Sequence, residues 1–84
     1  MPYIIQEKRK KLDPIIAQIT ALPLLSGDVN FVITCILESF YGAPLYEGLN
    51  SGLGVLEAVK QEFYRRRVVP FEEQKKRENG EVYL

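Results

Sequence analysis

The residues best suited to chemistry in this sequence form one aromatic and basic run, Phe63-Tyr64-Arg65-Arg66-Arg67. Guanidinium groups can hold a phosphate through paired hydrogen bonds, and an aromatic ring can stack on a nucleobase. The run therefore predicts a small site for an anion such as a nucleotide, with Arg65, Arg66 and Arg67 on the phosphate and Tyr64 or Tyr3 on the base. The alternative is a solvated helix face on which these arginines pair with nearby acids, for example Arg66 with Glu62.

Charge is balanced over the whole chain but is clustered along it. There are eleven basic and eleven acidic residues, and most of the basic ones lie at 8–11, 65–67 and 75–77. Nucleic-acid-binding domains are usually basic overall, so the balance disfavours a nucleic-acid partner but still allows a local anion site. The basic run at 8–11 is expected to be solvated.

Catalytic and metal-binding classes are disfavoured by the residues that the chain lacks. It has no histidine and a single cysteine, Cys35, which excludes histidine-based triads and most zinc sites. All-α nucleotide pyrophosphohydrolases hold magnesium with carboxylates three residues apart on one helix face. Here Glu57 and Glu62 are five apart, and the pair Glu78 and Glu81 is interrupted by Asn79-Gly80. We therefore expect no catalytic residue, no metal and no cofactor.

The hydrophobic periodicity predicts an all-α fold of three or four helices in a single domain, residues 1–84, with an N-terminal arm at 1–13 and a tail at 81–84. Asp13-Pro14 has the residue types of a helix start, and Pro23 would end that first helix. The remaining boundary signals are a second start at Ser26-Gly27-Asp28, its stop at Gly42, a loop or irregular turn at 45–51, a long helix kinked at Pro70, and a stop at Asn79-Gly80.

Two features suggest that copies of the chain pack together. The second helix is apolar on nearly every side, with Cys35 as an inert buried thiol, and 84 residues provide little chain to cover it. Glycines at 48 and 52, and at 54, indicate close approach of another backbone or a ligand. We therefore expect a homo-oligomeric helical bundle whose interface uses Phe31, Val32, Ile36, Phe40, Leu53, Leu56 and Phe63.

No apolar run is long enough for a transmembrane helix, and the N-terminus has no signal-peptide core. A single free cysteine is typical of a reducing compartment. We expect no membrane partner and a cytoplasmic location.

Three stretches of the chain carry a family resemblance. They are Met1-Pro2-Tyr3-Ile4 with Lys11-Leu12-Asp13-Pro14, Gly27-Asp28-Val29-Asn30-Phe31, and a C-terminal set that runs from Gly54-Val55-Leu56-Glu57 through Glu62-Phe63-Tyr64-Arg65-Arg66 and Val69-Pro70 to Glu78-Asn79-Gly80-Glu81-Val82-Tyr83. Together they make nearly the whole chain similar to a family of short uncharacterised proteins of bacteria, archaea and their phages. The resemblance implies no activity or catalytic residue, and it allows a phage origin with the host cytoplasm as the location.

The sequence thus favours a non-catalytic binding protein that holds an anionic small molecule, such as a nucleotide signal, between subunits. Encoded by a phage, such a protein could sequester a signal used in host defence. The alternative is a protein–protein interaction module, which binds a host protein, or a small structural subunit without a small ligand. A pyrophosphohydrolase-like enzyme is a less favoured class, and a nucleic-acid binder is less favoured still.

Overall fold

A computed structural model describes residues 1–84 as an all-α chain. Helix α1 is Gln6–Thr20 and α2 is Ser26–Tyr41, while a long helix covers 46–79 as α3 (Tyr46–Phe63), a π-helical turn (Tyr64–Val68, the π-turn) and α4 (Val69–Asn79). The predicted all-α class and long C-terminal helix are confirmed. The residues form two compact units, 2–53 and 54–84, each described by itself.

Helix α1 begins earlier than the sequence signals indicate. It starts at Gln6, and Pro14 lies inside it, so the start predicted at Asp13-Pro14 is wrong. The seven residues before Asp13 are mostly strong helix formers, and their propensity outweighs the one backbone hydrogen bond that Pro14 removes. The first turn is fastened by Arg9, whose Nε donates to the Ile4 carbonyl at 2.7 Å. The predicted end before Pro23 is confirmed, because the helix stops at Thr20.

Helix α2 has the boundaries that the sequence predicts. The Asp28 carboxylate accepts the Leu25 N–H at 2.9 Å at its start, which satisfies one of the unpaired donors of the first turn. At its end the Gly42 N–H donates to the Glu38 carbonyl at 2.9 Å. Cys35, expected to be buried, is exposed in the single chain, because no other part of the chain covers its side of the helix.

The long helix begins at Tyr46, so the preceding loop is shorter than predicted. The interruption expected at Pro70 takes the form of the π-turn just before it, in which the Val69 N–H donates to the Tyr64 carbonyl five residues back. Pro70 has no N–H, and its ring would press on the carbonyl four residues earlier in a regular α-helix. The wider turn relieves that crowding. The helix ends as predicted, with Gly80 at φ 100°.

The C-terminal tail is ordered through its backbone and not through its apolar side chains. Glu81 accepts the N–H groups of Val82 and Tyr83 on one carboxylate oxygen, at 3.0 and 2.8 Å. The side chains of Val82 and Tyr83 are each 86% exposed. Docking of this tail, expected from its composition, does not occur within the chain.

The chain buries no apolar side chain, and Gly52 is its one buried residue. Its accessible surface is 7913 Å². The helices are therefore well formed while their apolar faces remain open. None of them is long and apolar enough to cross a membrane.

Candidate functional site

The largest candidate surface is the set of exposed apolar side chains. Of the residues predicted at an interface, six are exposed and Val32 is half-buried. Exposure is greatest at Phe40 (77%), Phe31 (68%) and Leu53 (67%). Phe63, Ile36 and Leu56 are also exposed. Side chains of this size are usually covered in a folded protein, so each of these positions has room for a partner.

Within residues 2–53, helices α2 and α3 approach most closely at a glycine. A Cβ atom placed on Gly52 would lie 3.0 Å from the Tyr41 Cβ, and one on Gly48 would lie 3.7 Å from the Tyr41 carbonyl oxygen. The close approach predicted from these two glycines is confirmed, whereas Gly54 faces open space. Beside this contact is an open, mostly apolar cleft of about 400 Å³, lined by Thr34, Leu37, Glu38, Tyr41, Gly42, Leu49, Gly52 and Leu53.

The arginine run is divided by its hydrogen bonds. One amino nitrogen of Arg65 donates to both carboxylate oxygens of Glu62, each at 2.9 Å, so Arg65 takes the acid that the alternative interpretation assigned to Arg66. Residues three apart are also neighbours on a helix, which makes this pairing as accessible as the i, i+4 one. Arg66 and Arg67 are exposed and form no ion pair within the chain.

The tyrosines proposed as stacking partners lie in different units. Tyr64 belongs to 54–84 and is 56% exposed, whereas Tyr3 belongs to 2–53 and is 54% exposed. Four of the five predicted ligand residues, Tyr64 to Arg67, therefore lie together on the π-turn.

A second grouping of rings and cations, not predicted from the sequence, lies on the long helix. Arg67 is four residues from both Phe63 and Phe71, and the Lys75 ammonium lies 5.6 Å from the Phe71 ring centroid. The signal was the repeated spacing of four, which places successive side chains on one side of a helix. These rings are 63% and 56% exposed, so a flat ligand could reach them.

The carboxylates that could serve chemistry are mostly occupied by ion pairs. Glu57 pairs with Lys60 at 3.6 Å, Glu78 with Lys75 at 3.2 Å and Glu81 with Lys76 at 3.5 Å. No three side chains of the metal-binding types come together. The spacing suggests the i, i+4 pairs Glu72–Lys76 and Glu73–Arg77. Neither pair is formed, because Glu73 pairs with Lys76 at 3.0 Å.

Two pKa values are shifted in this region, both on exposed groups. Hydrogen bonding and charge attraction from Glu73, then the charge of Glu81, raise the pKa of Lys76. The pKa of Glu81 is lowered, first by the hydrogen bond from the Tyr83 backbone and then by that from Val82 and by Lys76. These interactions order the C-terminal tail against the end of the long helix.

Comparison with known proteins gives one match. No curated protein and no solved structure resembles the chain closely enough to count as a match. The sequence profile of one family covers residues 1–82, which is nearly the whole chain and includes all three helices. The chain therefore belongs to the family described as a domain of unknown function (DUF6899).

Proposed function

We propose that this chain is a non-catalytic binding protein that works as a homo-oligomer and holds an anionic small molecule, such as a nucleotide, between its subunits. The observation that carries the proposal is the absence of any buried apolar side chain in a chain whose helices are complete. Helices gain most of their stability from packing an apolar face, so these helices need a covering surface from outside the chain. Further copies of the chain carry the same apolar faces, and they are always present wherever the protein is made, so they can supply that surface.

The anion is supported by Arg66 and Arg67. Both guanidiniums are exposed and free of ion pairs, and they stand on a π-turn, a feature frequently found at functional sites. Tyr64 precedes them and offers an exposed ring. With the chain neutral in total, such a site would suit one small ligand and not a long polyanion. In a phage, this binding would remove a nucleotide signal from the host.

The test combines native mass spectrometry with thermal denaturation in the presence of mono-, di- and cyclic nucleotides. We expect an oligomer by mass and a higher melting temperature with at least one nucleotide, because ligand binding stabilises the folded state. The double variant Arg66→Ala/Arg67→Ala should abolish that shift. The matched control, Lys10→Ala/Lys11→Ala, loses the same charge from another basic cluster and should keep it. A monomer, or no shift with any nucleotide, would contradict the corresponding half of the proposal.

The second candidate is a protein–protein interaction module or a small structural subunit without a small ligand. It is favoured by the C-terminal tail, in which Val82 and Tyr83 are each 86% exposed. These side chains suit an apolar protein surface and not a charged ligand. In that case the oligomer would form, the nucleotide panel would give no shift, and the arginine double variant would behave as the wild type. Removal of residues 82–84 would then be the change that weakens assembly.

A further inference from the structure

One exposed stripe on α2 has the spacing of a helix-pairing seam. Val29, Ile33, Ile36 and Phe40 are separated by four, three and four residues, the repeat of core positions in paired helices. They are 42%, 46%, 49% and 77% exposed. At about 100° per residue these four positions fall within about 60° of one another, and they extend over about 17 Å of the helix.

The stripe is separate from the contact that α2 makes with α3. The α2 residues that line the cleft beside Gly52 include Leu37 and Tyr41, which lie about 70° and about 110° around the helix from the middle of the stripe. None of the four stripe residues lines that cleft, so the stripe is not occupied by the contact with α3. Ile15 on α1 is 56% exposed and provides a control of the same residue type outside the stripe.

The absence of charge on the stripe indicates a second copy as the occupant. Helix α2 has no lysine or arginine, and its two acids, Asp28 and Glu38, stand outside the stripe. A self-complementary, uncharged stripe is the kind of surface that a two-fold interface requires.

The sizes of the side chains distinguish the direction of pairing. In a parallel pair, Phe40 would face its own copy at one end and Val29 at the other, so the helices would be held apart at the phenylalanine end. In an antiparallel pair the large residue faces the small one, and the two isoleucines face each other, which keeps the layers even. Antiparallel helices also place opposite ends of their dipoles together.

We propose that α2 pairs antiparallel with α2 of a second copy, with Ile33 against Ile36 of the partner subunit and Val29 against Phe40 of the partner subunit. This inference rests on the self-association in the proposed function and specifies the surface that achieves it. The pairing buries an exposed apolar stripe of α2 and uses none of the residues that line the cleft beside Gly52.

The experiment uses the full chain with charges placed at the two central positions, and sedimentation velocity as the readout. The wild type, Ile33→Glu, Ile36→Lys, Ile15→Glu and an equimolar mixture of Ile33→Glu with Ile36→Lys are compared. Each central variant should raise the dissociation constant by at least about a hundredfold, because an unpaired charge would be buried. Ile15→Glu should associate as the wild type does.

The mixture reports the direction of pairing. In the antiparallel register, the carboxylate introduced at position 33 faces the ammonium introduced at position 36 of the other chain, and the second pair remains isoleucine on isoleucine. Association, followed together with helicity by circular dichroism, should therefore return in the mixture even if each variant alone is unfolded. Parallel pairing gives no such rescue.

The possible failures are distinguishable. A mixture that stays dissociated overturns the antiparallel register. Central variants that associate as the wild type does, or an Ile15→Glu chain that dissociates in their place, show that the seam lies elsewhere and leave the proposed function standing. A wild type that is monomeric overturns both proposals.

Discussion

At the residue scale, three adjacent arginines of identical chemistry have different surroundings. Arg65 is committed to Glu62 by two hydrogen bonds of 2.9 Å, while Arg66 and Arg67 have no ion pair within the chain. The sequence predicted the cluster, but it could not predict which arginine takes the acid, because residues three and four apart are both neighbours on a helix. Because Arg65 pairs with Glu62, Arg66 and Arg67 are the two guanidinium groups of this run that an anion could contact without breaking an ion pair.

Glu81 gives a pH-dependent prediction at the same scale. Its pKa is lowered from 4.5 mainly by the backbone hydrogen bond of Tyr83, so the ionised form stabilises the folded-back tail. That stabilisation is present above the unfolded pKa and is lost as the pH falls through the lowered folded pKa. We expect the amide proton shifts of Val82 and Tyr83 to titrate together below pH 4.5. Glu81→Gln, which lacks the charge, should remove this titration, and shifts that titrate unchanged in that variant would contradict the assignment.

At the element scale, the boundaries show how far local signals extend. The cap at Asp28 and the stops at Gly42 and Gly80 were predictable because each is a property of one or two residues. The start at Asp13-Pro14 was not, because a proline signal competes with the summed propensity of the preceding residues. The sequence located a break at Pro70, but not the π-turn that accommodates it.

Pro70 is expected to be the cause of the π-turn. Pro70→Ala restores an N–H and removes the ring, so the helix should return to α register and gain about 1 kcal/mol or more in stability. The carbonyl and Cα chemical shifts of residues 64–68 report the register, and urea denaturation reports the stability. Pro14→Ala is the matched control, since Pro14 also lies inside a helix but is preceded by no π-turn. Shifts at 64–68 that stay the same in Pro70→Ala would show that another feature sets the turn.

The glycine pair on α3 gives a second prediction for an element. Gly54→Ala should raise the free energy of unfolding by about 0.5–1 kcal/mol, because its Cβ meets open space and alanine is the better helix former. Gly52→Ala should gain less or lose stability, because its Cβ would lie 3.0 Å from the Tyr41 Cβ. Chemical denaturation of both variants measures the difference. Equal gains would mean that α2 and α3 are not in contact at Tyr41 in solution.

At the scale of the whole molecule, neutrality arises from separated charges. The basic residues lie only at 8–11 and 60–77, so the stretch between them, 12–59, carries acids and no base. The helices most rich in exposed apolar side chains fall in that stretch, where few charges oppose packing. The sequence predicted the small size and the apolar α2. It could not predict that no side chain would be buried, because burial depends on how the helices are arranged and not on their periodicity.

The absence of a core leads to a prediction about concentration. If folding is coupled to pairing of two chains, a hundredfold rise in concentration stabilises the folded dimer by about 2.7 kcal/mol. For two chains of this length, that corresponds to an increase in melting temperature of about 5–10 °C. Circular dichroism at about 1 µM and about 100 µM measures this change in melting temperature. The Ile33→Glu chain should lose helicity at both concentrations, since the covering surface is removed. A wild-type melting temperature that does not change with concentration would mean that the isolated chain is stable with its apolar faces in water. That result would contradict the inference that these faces need a covering surface from another copy.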